Sequence, residues 1–141
     1  MVAHLQDAIT WLVTAIQNDS QVQALGVTQA YMYSAPEKGV TSYPFVIIQK
    51  QAGSHALSMC STAYDTHYLA VKCVDYGFDG GRRARNVIDR VREVIEFQTA
   101  TLATGRILSI TPNNSYEYDE QESGNNNFYH CVVSEKVVLS S

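Results

Sequence analysis

The chain has 141 residues, of which 45% are apolar and 17% charged, and its formal net charge is −4. That composition suits one globular domain over residues 1–141 and excludes a disordered chain. The acidic balance gives no overall drive toward nucleic acid, and no apolar run approaches the roughly 18 residues that span a membrane.

The three cysteines, Cys60, Cys73 and Cys131, form no paired motif. An odd number without a signal-like N-terminus points to folding in a reducing cytosol.

Residues Ala3 to Asn18 form the first predicted helix, with Leu5, Ala8, Ile9, Leu12 and Ile16 on one stripe and Trp11 at its border. Asp19 or Ser20 can cap a short turn carrying Val22 and Leu25, which Gly26 is placed to end. Thr28 to Ser34 reads as a short strand, with Tyr31 and Tyr33 on one face. Pro36 and Gly39 mark Ala35–Ser42 as a loop.

A second strand opens at Tyr43-Pro44-Phe45-Val46. Pro44 cannot donate to a ladder and belongs at the strand start or on an edge. The unalternating run Phe45, Val46, Ile47, Ile48 asks for cover on both faces, and a neighbouring subunit is the expected second cover. Ala52–Thr62 is small and polar and reads as a loop or hairpin tip. Tyr64–Tyr76 is the longest strand candidate, with Leu69, Val71 and Cys73 facing one way and Tyr68, Ala70, Lys72, Val74 and Tyr76 the other.

Asp79 to Phe97 is the stretch around which the rest is arranged. Ala84, Val87, Ile88, Val91, Val94 and Ile95 recur at helical spacing. Asp79 can cap the first turn, and Gly80-Gly81 lets the chain turn sharply out of the preceding strand. Arg85–Asp89, Asp89–Arg92 and Arg92–Glu96 are spaced for ion pairs on its wet face. On this phase Val91→Asp should cost about 3–5 kcal/mol and Arg92→Ala under about 1 kcal/mol. After a loop over Thr99–Gly105, Arg106–Ile110 and Ser115–Asp119 are strand-like around a break at Pro112-Asn113-Asn114. Gln121–Asn127 is a turn-rich tip, and Phe128–Leu139 is the last strand. The expected fold is α+β, two main helices on a mainly antiparallel sheet, in the order α-β-β-β-α-β-β.

Nothing in the spacing carries catalysis or a cofactor. His55 with Cys60, His67 with Cys73, and His130 beside Cys131 match no zinc pattern, and His67 and His130 read as sheet residues. Asp79-Gly-Gly-Arg-Arg lacks the glycine spacing of a phosphate loop. The arginines read as a solvated or subunit-facing surface, and the acidic run Glu117, Asp119, Glu120, Glu122 as an exposed hairpin. The expectation is no enzyme, no metal and no cofactor. Nine tyrosines are many for this length, and tyrosine is enriched at protein interfaces.

Laid end to end, these elements resemble the tail-terminator, or tail-completion, proteins of long-tailed bacteriophages. The features are the Leu5–Ile16 helix, the turn Val22-Gln-Ala-Leu-Gly-Val, and the tyrosine strand leading to Tyr43-Pro44-Phe45-Val46. Next come Val71-Lys-Cys-Val-Asp-Tyr running into a Gly- and Arg-containing helix, and two closing strands. The resemblance implies a ring, commonly of six subunits, at the head-proximal end of the tail tube, stopping tube growth and docking the head connector. It implies a place in the virion neck after assembly in the host cytoplasm. Its partners would be itself, the tail-tube protein and a connector or stopper, with DNA passing through the lumen without specific binding. Subunit contacts are expected at Phe45, Ile47, Tyr64, Tyr68, Arg82, Arg85, Tyr116 and Tyr118, through strand edges and the hairpins near Ala52–Ala63 and Gln121–Asn127. The alternatives are a connector-stopper protein, a tail-tube subunit, or a small ligand-binding or enzymatic α+β domain.

Overall fold

The computed structural model describes residues 2–33, 42–57, 63–77, 80–122 and 126–141. Its elements are α1 (Leu5–Gln17), α2 (Ser20–Ala24), β1 (Ala30–Met32), β2 (Phe45–Leu57), β3 (Ala63–Tyr76), α3 (Gly80–Ile95), β4 (Ala100–Leu102), β5 (Gly105–Glu122) and β6 (Asn126–Ser140). They form an α+β fold with one six-stranded sheet, ordered β1-β2-β3-β6-β5-β4. β1 runs parallel to β2 and every other neighbouring pair is antiparallel. The sheet is therefore mixed.

Helices cover one face of it. Ala8, Ile9, Leu12 and Ile16 of α1 and Ala84, Val87, Ile88, Val91 and Ile95 of α3 are buried in one cluster with Val46, Ile48, Leu69, Val71, Cys73, Val133, Val137 and Leu139. The helical stripes supply one side of this core and the alternate residues of the strands the other. The division of β3 into two faces is as the alternation predicts. Asp19 caps α2 by accepting from the Val22 backbone N–H at 3.0 Å. Gly26 follows at φ +100, where a side chain would be strained. Asp79 and most of the Ala35–Ser42 loop lie outside the described residues.

Four expectations need correction. Residues 52–57 are not a loop but continue β2, paired with β3 down to Leu57–Ala63. Pairing along a long hairpin outweighs the weak strand propensity of small residues there. Pro112 does not break the last pair of strands, because β5 is continuous, with Asn113 bulged out between Pro112–Glu135 and Asn114–Ser134. A bulged outer strand is a place where proline is tolerated. Ala100–Leu102, expected in a loop, pairs with the start of β5. Tyr33 does not share a strand face with Tyr31, since β1 ends at Met32 and Tyr33 takes φ 66. Its hydroxyl then donates to Gln6 of α1 at 2.6 Å.

A second bulge puts Gln51 between Lys50–Leu69 and Ala52–Tyr68. Through the pairing, Lys50, Leu69, Glu135 and Pro112 stand level across the sheet. The Gln51 bulge of β2 and the Asn113 bulge of β5 thus fall on one line, while β5 carries a further bulge at Leu108. On the face away from the helices, the Ser134 hydroxyl donates to Gln51 at 2.7 Å and accepts from Asn113 at 3.4 Å. Ala70, between Gln49 and Ser134 in the register, is small enough to let Gln51 reach across.

Candidate functional site

The arginines of α3 reach other elements more than they pair along the helix. Arg83 holds Asp75 of β3 through two hydrogen bonds of 2.7 Å, and the Asp75 side chain is fully buried. Arg85 holds Glu117 of β5 at 2.8 and 2.9 Å. Arg90 holds Asp19, the α2 cap, at 3.0 and 2.9 Å and adds Glu93 at 2.9 Å. Arg92–Glu96, at 2.7 Å, is the one expected pair that forms as a direct contact. Asp89 acts on Arg85 and Arg92 only through its field. Bidentate geometry explains the choice, because a fork–fork contact to a carboxylate on a fixed strand is stronger than a contact between two mobile side chains on one helix. The Arg90 guanidinium lowers the pKa of Asp19 and the Arg85 guanidinium that of Glu117, and both arginines are held charged more firmly than usual.

Between α3 and the β5–β6 hairpin lies a cleft of about 310 Å³ lined by Gly81, Ala84, Arg85, Glu117, Tyr129 and Cys131, among others. Arg85 and Glu117 saturate one another there, and Asp119, which also lines the cleft, has no ion-pair partner among the described residues. The Cys131 thiol on its floor is pushed up to about 12 by burial and by Glu117, so it stays protonated and unreactive at neutral pH. Burial likewise raises the Cys73 thiol well above its ordinary value. His67 is held below its ordinary value by burial and by Lys50, with Asp65 opposing. No group of three or more His, Cys, Asp or Glu among the described residues is placed to hold a metal. Cys60 lies outside those residues.

The sheet face away from the helices is aromatic. Phe45, Ile47 and Val74 are buried there against Tyr31, Tyr43 and Phe128. Tyr43 lies 5.3 Å from Phe45 and 5.7 Å from Phe128 between ring centres, and Tyr76 lies 5.1 Å from Phe128. Farther across, Tyr118 stacks on His130 at 4.3 Å and beside Tyr116 at 6.2 Å, and its hydroxyl accepts from Lys72 at 3.5 Å. Tyr116 and Tyr118 are 45% and 42% exposed, a large ring area left to solvent or to a partner.

Of the residues expected at a subunit contact, Phe45, Ile47, Tyr64, Tyr68, Tyr116 and Tyr118 all fall on this face by register. They are not one patch. Phe45 and Ile47 are buried in the aromatic cluster, Tyr64 and Tyr68 are half-buried toward the other end of β3, and Tyr116 and Tyr118 are exposed on β5. Arg82 and Arg85 sit exposed on α3, in the opposite layer.

Glu135 was not foreseen. It is 1% exposed, beneath the Arg92–Glu96 pair, and makes no hydrogen bond of good geometry among the described residues. Burial and the Glu96 carboxylate push its pKa to about 9, with Arg92 opposing, so it is neutral at pH 7. The signal was present in the alternation, which places Glu135 on one face with Val133 and Val137, and Asp75 with Val71 and Cys73.

No helix among the described residues is long and apolar enough to cross a membrane. No curated protein sequence matches the chain. A solved structure from the virion of a native gene transfer agent particle has a similar fold, with TM-score 0.65, 14% identity and 92% of each chain covered. The sequence matches the family described as tail completion protein gp17 over residues 10–139, all but its two ends. The chain thus belongs to the tail completion protein gp17 family, structural proteins of the bacteriophage virion.

Proposed function

We propose that this protein is a tail terminator: a hexameric ring at the head-proximal end of the tail tube that stops tube growth and presents the docking surface for the head connector or stopper. The observation that carries the reading is the family match over residues 10–139. The site geometry supports it. In the Arg85–Glu117 cleft the Cys131 thiol is held protonated and the two charges hold each other, while exposed aromatic rings and charged side chains occur on both layers, as a body with several interfaces requires. Stopping growth needs two unlike faces, one matching the tube's last ring and one refusing a further tube subunit. The expected contacts at Phe45, Ile47, Tyr64, Tyr68, Tyr116 and Tyr118 would lie on the free sheet face, and those at Arg82 and Arg85 on the helix layer. DNA would pass through the lumen ungripped, as the net charge of −4 favours.

Removal of the gene tests this. Terminator function predicts filled heads without tails, together with tubes of irregular length, and purified protein should arrest the elongation of those tubes. Normal-length tails with heads that leak DNA would replace the reading with a connector-stopper, and a loss of all tubes with a tail-tube subunit.

A further inference from the structure

We infer that copies of this chain join by strand addition, the free edge of β2 in one copy pairing antiparallel with the free edge of β5 in the next, and Lys50 lying against the neighbour's Asp119. This rests on the ring reading and names its contact. β1 covers β2 only at Val46–Ile48, and β4 covers β5 only at Gly105–Ile107. Among the described residues, Gln49–Leu57 of β2 and Leu108–Glu122 of β5 pair on one side alone. Every residue from Pro112 to Asp119 is exposed. A long bare edge is a template for another strand, and two such edges on opposite sides of one sheet make a head-to-tail contact that a rotation can close.

The direction follows from the topology. Three antiparallel steps separate β2 from β5, through β3 and β6, so the two edges run opposite ways. A rotation about an axis along the strands preserves that sense, and the junction is antiparallel like its neighbours in the sheet.

The stagger follows from where the edges are free. Within one copy Lys50 is level with Pro112, at one end of the free stretch of β5. Bringing it opposite Asp119 slides the neighbour by about six residues once the bulge is allowed for, or about one and a half residues for each of the four strands β2, β3, β6 and β5. A sheet that closes on itself with tilted strands requires a stagger between them.

Side-chain parity then picks the pair. Lys50 lies on the helix-bearing face with Leu69, and Asp119 on the same face opposite Tyr129. Both are exposed, and neither has an ion-pair partner among the described residues. Glu117, the other acid on that face of the edge, is already held by Arg85. Asp119 is thus the charge on the β5 edge left for a cation on the next copy.

Sedimentation and single-particle mass measurement across a concentration series, alone and on purified tail-tube ends, test the contact. Asp119→Lys and Lys50→Asp should each raise the concentration for half-assembly by roughly tenfold or more, since each sets like charges together. The double variant, which swaps the charges, should return to within about threefold of the parent. In the assembled protein, amide exchange at residues 114–119 and 49–57 should slow together. Rings that form normally in both single variants, or a double variant no better than either, would overturn the edge pairing and leave the ring standing. A parent chain that stays monomeric both alone and on tube ends would overturn both.

Discussion

Replacing Glu135 with glutamine should stabilise the protein, and more so as the pH rises. The folded chain holds the Glu135 proton up to about pH 9, whereas the unfolded chain releases it near the ordinary value of 4.5. Between those values the native state binds more protons than the unfolded state, so stability falls with rising pH. At about 1.4 kcal/mol per pH unit, the loss accumulated from pH 4.5 to pH 7 is roughly 3 kcal/mol. Above pH 9 both states are ionised and the penalty stops growing. Three other resolved shifts also bear on stability. The lowered pKa values of Asp19 and Glu117 contribute stability that is present above the unfolded carboxylate value and lost as pH falls through the folded one. His67, held low, works against Glu135, because its burial penalty is relieved as pH rises through its ordinary value of 6.5. A comparison of Glu135→Gln with the parent at each pH cancels it. Urea unfolding at pH 5, 6, 7 and 8 should show the two proteins converging at pH 5 and separating by at least about 2 kcal/mol at pH 8. Parallel stability curves would mean that Glu135 is ionised and hydrated in the native state, and the account of the buried carboxyl would be wrong.

Val91→Asp should cost about 3–5 kcal/mol in chemical denaturation, because Val91, on the sheet-facing side of α3, is fully buried in the core. Arg92→Ala should cost more than its place on the wet face of the helix implies, about 1–3 kcal/mol, since it strips the cation from Glu96, whose side chain is 9% exposed; a melt matching the parent would refute this. Asp19→Asn should keep the α2 cap but lose the charged contact to Arg90, so thermal melts should order the parent above Asp19→Asn and Asp19→Ala lowest, with the parent's advantage fading in acid. Gly105→Ala should destabilise by several kcal/mol, roughly 2–4, because the added methyl would run into the Ser140 carbonyl and the backbone at Ala3; an unchanged melting temperature would show that the N-terminal segment is not docked there.

The helices and the two faces of β3 were legible because apolar spacing reports which side of an element meets the core, and Val91 and Leu69 had no other place to go. Residues 52–57 were not, since small polar residues enter a strand only when a partner strand holds them, and that partner is a tertiary fact. Pro112 misled for a related reason: it breaks a central strand but not an outer one beside a bulge, and sequence does not say which strand is outer. The ion pairs failed by distance along the chain. Arg85 finds Glu117 and Arg90 finds Asp19 because folding brings fixed carboxylates within reach, and nothing in the helix's own spacing shows that. Glu135 was readable from alternation alone, as a carboxyl in the valine row of β6.

The line on which the Gln51 bulge of β2 and the Asn113 bulge of β5 both fall has a mechanical consequence. Across it only the ladder between β3 and β6 is unbroken, so the strands are free to bend and twist there. The hydrogen bonds from Asn113 to Ser134 to Gln51 act as a strap over one side of that line, and the neutral carboxyl of Glu135 lies against the other. In the proposed ring of joined sheets the line would recur once per subunit. A change of bore would then be taken up as a small bend at each line, leaving the packed halves of every subunit undistorted.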